Sequence, residues 1–179
     1  MTINLGKLFE SDLESSCAKL GIFYNRIKDI SLPIELRKRI KVAPNKYDCM
    51  MFSKGHLFTL EQKSTKDKSI SFSEKIIKKH QIENLLKADT YDDVISGFLF
   101  NFREPENKVY FVPIKDFVAY KNVAENEIKD HTYKSKVNKS SIPISICEEV
   151  GIEIAWRKKT KRYHYHLREF IEQAIQHNK

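Results

Sequence analysis

The amino-acid sequence predicts an α/β fold in which a mixed central β-sheet is flanked by helices. Two apolar segments, 46–52 and 57–64, are separated by a short turn and predict a β-hairpin. Segments 93–102 and 109–114 predict two further strands around a proline-containing turn. Helical periodicity near both ends of the chain predicts helices that pack against this sheet. Because 41% of the residues are apolar, the 179 residues can build one core, and we expect a single domain over 1–179.

The charge balance indicates a polyanionic partner. Lys and Arg number 32 against 24 Asp and Glu, for a net charge of +8, which favours nucleic acid over an acidic membrane. The chain shows no secretion signal and no apolar window that approaches a membrane span. The three scattered cysteines, Cys17, Cys49 and Cys147, predict reduced thiols in a cytoplasmic protein. No glycine-rich phosphate loop and no Gly-x-Ser-x-Gly elbow is present, which counts against nucleotide triphosphatases and serine hydrolases.

The first predicted helix carries an apolar stripe from Leu5 to Leu20 and ends at Gly21. Glu10 falls on the rim of this stripe, beside Cys17, at 100° per residue. From there it can reach an active site, although a charge at the edge of a buried face is the more common outcome.

A basic segment, 26–46, precedes the hairpin. Pro33 and Pro44 exclude one continuous helix through it. Its excess of cations over Asp29 and Glu35 favours phosphate contacts over a merely solvated loop. The candidate DNA-binding residues in it are Arg26, Lys28, Arg37, Lys38, Arg39 and Lys41.

The hairpin itself predicts a site for a divalent metal. Asp48 lies at one end of it, and Glu61 and Lys63 lie near the facing end, on one side of the strand and about 7 Å apart. Mg²⁺ prefers oxygen ligands and retains waters, so Asp48, Glu61 and the carbonyl of Gln62 suffice to bind it. Lys63 can orient or deprotonate the attacking water and offset charge on a phosphate.

Spacing alone is weak evidence for this site. Glu-x-Lys occurs three times, beginning at Glu61, Glu106 and Glu127, and Asp93 precedes Glu106 by thirteen residues, as Asp48 precedes Glu61. Only the first copy ends an alternating strand, whereas the other two lie in a proline-containing turn and in a polar segment. A rigid strand is what metal chemistry requires, so the first copy is the candidate.

After the hairpin, a polar loop contains Lys66, a further candidate DNA contact. The capping-box pattern of 71–74 then predicts a helix that runs to about Lys87. Gln81 falls on the apolar stripe of this helix. A buried amide needs a partner, so Gln81 either binds a backbone group, the more common case, or faces the catalytic pocket.

The second half of the chain predicts a short helix at 115–120, a polar and mobile insertion at 121–141, and a short helix that begins with a capping box at 145–148 and ends at Gly151. A strand at 152–156 and a terminal helix from Leu167 follow, with a basic run between them. His164 and His166 lack a third ligand at zinc spacing, so we interpret them as DNA contacts or plain surface residues. The basic run adds the candidate DNA-binding residues Arg157, Lys158, Lys159, Lys161 and Arg162.

These residues carry a resemblance to known nucleases. Asp48 followed by Glu61-Gln62-Lys63 after a hairpin resembles the restriction-endonuclease-like PD-(D/E)XK core. Three further motifs narrow the resemblance to one family, the RecU Holliday junction resolvases. They are Asn4-x-Gly6 ahead of Glu10, Ser71-Phe72, and His80-Gln81-Ile82-Glu83. The resemblance extends from the first helix to the Arg162-Tyr163 segment, and 121–141 matches it poorly. It implies catalytic roles for Asp48, Glu61, Lys63, Gln81 and Glu10.

The resemblance also implies a function. It points to a homodimeric endonuclease that depends on Mg²⁺, for which Mn²⁺ can substitute, and that nicks a four-way DNA junction symmetrically. Segment 26–46 would be a projecting stalk that enters the junction centre. Two departures from the family are Tyr47, where relatives have Pro or Thr before the aspartate, and the shortness of the stalk. The alternatives are an endonuclease of duplex DNA, of restriction or repair type, and a non-catalytic DNA-binding recombination mediator. The small, lysine-rich chain suits a phage or a low-GC bacterium.

Overall fold

The structure is a computed structural model that describes residues 4–28, 33–37, 39–40 and 42–178, without the side chain of Arg37. Lys38 and Lys41, two of the predicted DNA-binding residues, lie outside the described residues. The helices of the described ranges are Leu5–Leu20 (α1), Ile34–Arg37 (α2), Lys79–Ala88 (α3), Ile114–Glu125 (α4), Ile144–Val150 (α5) and Leu167–His177 (α6). The strands are Phe23–Arg26 (β1), Cys49–Ser53 (β2), His56–Thr65 (β3), Ser69–Ser71 (β4), Val94–Phe102 (β5), Lys108–Pro113 (β6), Ser141–Pro143 (β7), Ile152–Glu153 (β8), Trp156–Lys159 (β9) and Arg162–Tyr165 (β10).

The central sheet is mixed, as the sequence predicts. Within the described ranges its strand order is β1-β2-β3-β5-β6-β8. The pair β3 and β5 is parallel, and the other neighbouring strands are antiparallel. The predicted hairpin is confirmed as β2 and β3, and the predicted strands at 93–102 and 109–114 are confirmed as β5 and β6. Two smaller ladders, β4 with β7 and β9 with β10, lie outside this sheet.

Helices cover both faces of the sheet, because the central strands bury side chains on both sides. On one face Phe58, Leu60 and Leu99 pack with residues of α1 and α6. On the other face Phe98 and Phe100 pack with residues of α3, α4 and α5. The strand pair β3–β5 therefore lies between two hydrophobic cores, which holds the residues at its end in fixed positions.

Helix α1 has the ends that its sequence predicts. The Asn4 side chain accepts a hydrogen bond from the Lys7 N–H at 3.2 Å, which caps the first turn. Gly21 terminates the helix in the left-handed conformation, with φ 67°.

The helix after the hairpin starts later than predicted, at Lys79. The Ser69–Ser71 segment instead forms β4 and pairs with β7, which buries Ile70 in the core beside α4. Glu74, which the sequence places in the capping box, still serves the helix start, because its carboxylate accepts from the Lys79 N–H at 3.1 and 3.2 Å. The long-range β4–β7 pairing therefore overrides the local capping signal.

The predicted insertion at 121–141 is more ordered than its composition indicates. Its first residues, through Glu125, extend α4, and Ser141 begins β7. Between these elements the Tyr133 ring packs edge-on against Tyr120 at 5.3 Å. The Glu149 carboxylate accepts from the main-chain N–H groups of the segment that follows Tyr133. Glu149 and the aromatic pair thus attach the segment to the body of the protein.

Three boundaries near the carboxyl end also differ from prediction. Helix α5 begins at Ile144 after Pro143, without a side-chain cap, so Ser145 is not its cap. Strand β8 covers only Ile152–Glu153, and Trp156 belongs instead to β9. The basic run forms the β9–β10 hairpin, which docks on α1 through the Tyr165 N–H and the Ser16 hydroxyl at 3.0 Å.

The candidate stalk is exposed where the structure describes it. Ile34 is 75% exposed on α2, and Leu36, Ile40 and Val42 are also exposed. Its role at a junction centre remains a prediction. Within the described residues, no helix is both long and apolar enough to cross a membrane. Cys17, Cys49 and Cys147 are buried free thiols, as predicted.

Candidate active site

The hairpin register brings Asp48 and Glu61 to the same end of the sheet. Cys49 of β2 pairs with Leu60 of β3. Asp48, which precedes Cys49, therefore faces Glu61, which follows Leu60. The Asp48 N–H donates to the Leu60 carbonyl at 3.2 Å, and the Asp48 Oδ2 accepts from the Gln62 N–H at 2.9 Å. Main-chain groups of β3 therefore fix both the backbone and the carboxylate of Asp48.

Lys63 lies with both carboxylates, as the alternation of β3 predicts. Its Nζ is 3.1 Å from the Glu61 Oε2 and 3.9 Å from the Asp48 Oδ2. The Glu61 side chain is 1% exposed, whereas the Asp48 side chain is 36% exposed. One carboxylate is thus buried, the other faces solvent, and the ammonium group contacts both.

Gln81 takes both of the positions that the sequence leaves open. Its Oε1 accepts from the Lys78 N–H at 3.0 Å and so satisfies a free donor at the start of α3. Its Nε2 donates to the Glu61 Oε2 at 2.5 Å. The start of α3 therefore holds the amide against the buried carboxylate.

The electrostatics of the site favour a proton or a cation on Glu61. Burial raises the pKa of Glu61 to about 8, with a further rise from the neighbouring Asp48 carboxylate and an opposing effect of Lys63. A carboxyl group with this pKa is mostly protonated at neutral pH. Binding a cation between the two carboxylates would relieve both the repulsion and the burial cost.

The donor set fits a hard divalent cation better than zinc. Among the described residues no group of three or more His, Cys, Asp and Glu side chains is positioned to hold a metal. Two carboxylates and a main-chain carbonyl leave the remaining positions to water, which suits Mg²⁺. The Gln62 side chain lies on the opposite face, beside Tyr24, so only its main-chain carbonyl can serve as a ligand.

Glu10 lies at the edge of this region, on α1. Its carboxylate forms an ion pair with Arg26 of β1. The following residue in the chain, Ile27, donates its N–H to the Asp48 carbonyl at 2.9 Å. The structure thus places Glu10 one strand away from Asp48, and its pairing occupies Arg26, a predicted DNA contact.

Some of the predicted DNA-binding residues also form ion pairs within the protein. Arg162 forms an ion pair with the buried Asp12 and also bonds Ser11, so part of its role is structural. Lys66 pairs with Glu104 at 3.1 Å. Lys66 and Arg162 are nonetheless exposed, as are Lys28, Arg39, Arg157, Lys158, Lys159 and Lys161.

A polar network behind Lys63 escapes sequence reasoning. The Ser64 hydroxyl donates to the Asn101 Oδ1 at 2.9 Å, and Asn101 is fully buried. Arg103 donates to the Ser64 hydroxyl at 3.4 Å and to the Leu5 carbonyl at 3.1 Å, and its guanidinium lies 5.8 Å from the centre of the Tyr163 ring. Arg103 thereby joins the end of β3 to α1 and to the basic hairpin. The available signal is Asn101 itself, a polar residue between two phenylalanines of a buried strand.

The fold and the site together define a class. A mixed sheet flanked by helices, with a carboxylate pair and a lysine on a central hairpin, is a restriction-endonuclease-like nuclease core. A solved structure with this fold is that of Hjc from Archaeoglobus fulgidus, described as a Holliday junction resolvase from an archaeal hyperthermophile. It has a TM-score of 0.51 and 16% identity and covers 83% of this chain and 95% of that chain. At this identity the likeness concerns the fold.

Sequence comparison supplies the family. The profile of Recombination protein U, RecU, matches residues 36–176, and this chain belongs to the RecU family. A relative, the SPbeta prophage-derived uncharacterized protein YotM of Bacillus subtilis (strain 168), is 56% identical over 172 residues, which are 96% of this chain and 87% of that protein. The expected phage connection agrees with this relative. The matched residues include Asp48, Glu61, Lys63 and Gln81, whereas Glu10 lies before them.

Proposed function

We propose that this protein is a structure-specific DNA endonuclease that resolves four-way junctions by paired symmetric nicks during recombination and repair. The observation that carries this proposal is the cluster of Asp48, Glu61, Lys63 and Gln81 at the end of the β2–β3 hairpin. Membership of a recombination-protein family and the fold of a Holliday junction resolvase support it.

Each side chain has a role in phosphodiester hydrolysis. Asp48, Glu61 and the Gln62 carbonyl would hold Mg²⁺, or Mn²⁺ in its place. The bound cation supplies Lewis-acid polarisation of the phosphate and a water of lowered pKa. Lys63 orients the attacking water and stabilises the charge that develops on the phosphate oxygens.

The remaining residues of the set act around the reacting atoms. Gln81 holds the Glu61 carboxylate in position, and Glu10, through Arg26, supports the strand next to Asp48. As the water oxygen bonds to phosphorus, the bond from phosphorus to one bridging oxygen breaks. The water proton passes to solvent, and the leaving alkoxide takes up a proton.

The substrate and the assembly follow from two coordinated cuts. One site nicks one strand, so symmetric resolution requires a second copy of the chain, and we propose a homodimer that acts in the cytoplasm. The exposed cations of 26–46 and of the β9–β10 hairpin contact the phosphate backbone, together with Lys66 and Arg162. Segment 26–46 reaches toward the junction centre.

The decisive experiment compares an end-labelled mobile four-way junction with a matched linear duplex, with and without Mg²⁺. We expect paired nicks in the junction only, lost in Asp48→Asn and retained in Glu83→Gln, an exposed acidic residue on α3 that serves as the control. Cutting of the linear duplex at a preferred sequence would indicate the duplex endonuclease instead. Junction binding that neither metal nor Asp48→Asn changes, without any cleavage, would indicate a non-catalytic mediator.

A further inference from the structure

A groove of about 480 Å³ begins beside Lys63 and continues away from the carboxylate pair. The end of β3 forms one wall, β4 crosses its floor, and the turn that precedes α3 forms the far wall. Because Gln62 and Lys63 line it, the groove borders the candidate active site.

The lining of the groove suits a sugar-phosphate backbone. Ser64, Thr65, Ser69 and Ser71 line it. The Ser64 and Thr65 hydroxyls already donate to Asn101 and Asp67, so those of Ser69 and Ser71 are the donors available to phosphate oxygens. Its single carboxylate is that of Asp67, which is engaged locally, because its N–H and Oδ2 both contact the Thr65 hydroxyl.

Lys75 supplies a cation on the far wall. Lys63 is held by two carboxylates, but none of the residues that the structure describes forms an ion pair with Lys75. Lys75 is exposed, and its neighbour Ile76 is 44% exposed at the groove rim. A free ammonium group beside an exposed aliphatic side chain matches the alternation of phosphate and sugar along a DNA strand.

The turn presents these two side chains rigidly. The Ile76 and Ile77 N–H groups donate to the Ser73 carbonyl at 2.8 and 3.0 Å, and the Ile77 side chain is buried. At the far end of the turn, Glu74 caps the first N–H of α3. Lys75 and Ile76 thus project from a segment that is fixed on both sides.

We infer that this groove binds the backbone of the scissile DNA strand next to the cut, with Lys75 contacting one phosphate and Ile76 packing against the adjacent sugar or base. The inference rests on the proposed DNA endonuclease function and adds the residues that hold the strand. Lys75 lies outside the reacting atoms, so it contributes to affinity rather than to the chemical step.

The test measures binding of a four-way junction in EDTA, where the readout requires no cleavage. One phosphate contact contributes about 0.9 to the slope of log K against log salt, and the proposed homodimer carries Lys75 twice. Lys75→Gln should therefore lower the slope by about 1.8 and weaken binding at least several-fold. The control is Lys54→Gln, which removes the same charge, together with an ion pair to Glu172, from the β2–β3 turn at the opposite end of β3. Equal slopes for the two variants would overturn the inference.

Two further measurements locate the contact. Single phosphates around the branch point are replaced by neutral methylphosphonates. At one position we expect the replacement to weaken binding by the wild type but to leave the affinity of Lys75→Gln unchanged. If the phosphate replacement weakens binding by the same factor in the wild type and in Lys75→Gln at every position, a direct contact is excluded. Ile76→Ser removes apolar contact but no charge, so it should weaken binding without changing the salt slope, and an unchanged affinity would exclude its packing role.

Cleavage separates this inference from the proposed function. At enzyme concentrations that saturate the junction for each variant, Lys75→Gln should cut it within about twofold of the wild-type rate, because a binding residue alters affinity more than the chemical step. A wild-type protein that binds junctions with the Lys75-dependent slope but never cuts them would contradict the endonuclease proposal and leave the groove assignment supported. If the wild type cuts junctions but Lys75→Gln and Lys54→Gln have equal salt slopes, the endonuclease proposal is supported and the groove assignment is contradicted.

Discussion

Replacing Glu61 with glutamine tests the electrostatic state of the carboxylate pair. The amide has nearly the same shape, and its oxygen can still accept the hydrogen bonds that Gln81 and Lys63 donate to Glu61. The substitution therefore removes a charge with little change in packing. Its effect on stability should depend on pH, because burial and Asp48 hold the pKa of Glu61 at about 8.

The sign and size of the effect follow from proton linkage. Between the ordinary pKa of 4.5 and about 8, the native protein keeps the Glu61 proton that the unfolded chain releases, so wild-type stability falls as pH rises. From pH 5.5 to 7.5 this one group lowers the free energy of unfolding by roughly 2–3 kcal/mol. Glu61→Gln lacks the titration, so its stability relative to the wild type should rise by that amount over the same window.

Urea unfolding in EDTA at several pH values measures this difference. Other titrating groups are common to both proteins and cancel, and Glu83→Gln on the exposed face of α3 controls for removal of a carboxylate. A stability difference between wild type and Glu61→Gln that stays constant from pH 5.5 to 7.5 would refute the raised pKa. Mg²⁺ should then stabilise the wild type at pH 7.5 and have much less effect on Glu61→Gln, since one of its two carboxylate ligands is gone.

Three further predictions concern the scaffold. Arg162→Ala leaves the carboxylate of Asp12 buried without its cation, which should lower the free energy of unfolding by roughly 2–3 kcal/mol in urea. Adding Asp12→Asn should restore part of this loss, and no restoration would show that the loss is one of packing. Gly97→Ala places a methyl group 2.4 Å from the Val112 carbonyl oxygen, so we expect the free energy of unfolding to fall by roughly 2–4 kcal/mol. The control, Gly6→Ala in α1, should be neutral or stabilising. A Gly97→Ala protein as stable as the wild type would contradict the close strand approach. Burial raises the pKa of all three cysteine thiols, so a chromogenic disulfide reagent at neutral pH should react with them only after unfolding. Rapid release of the reagent's chromophore by the native protein would count against their burial.

The sequence predicts the residues of the candidate site because their positions depend on local pattern. The alternation of β3 sets Glu61 and Lys63 on one face, and a tight turn returns the chain so that Asp48 meets Glu61. Neither inference needs distant parts of the chain. The position of Gln81 on an apolar helical stripe gave the right two alternatives, and the structure satisfies both through its two amide atoms.

The errors arose where distant segments pair. The start of α3 was predicted too early because the pairing of β4 with β7 joins residues about 70 positions apart, which a capping-box pattern cannot reveal. Likewise, the polar composition of 121–141 gave no sign that Tyr133 would pack on Tyr120. The charge of the basic run after Trp156 predicts DNA contacts but gives no sign of the hairpin that docks on α1.

The sequence by itself determined the α/β class, the hairpin, the residues of the candidate site and the resemblance to a nuclease family. Local periodicity and residue chemistry suffice for these. Only the tertiary structure decided the state of the site: that Glu61 is buried against Gln81, that Glu10 pairs with Arg26, and that a groove leads from Lys63 to Lys75. Burial and ion pairing depend on which distant segments meet, and a pKa near 8 arises from that environment rather than from the residue type.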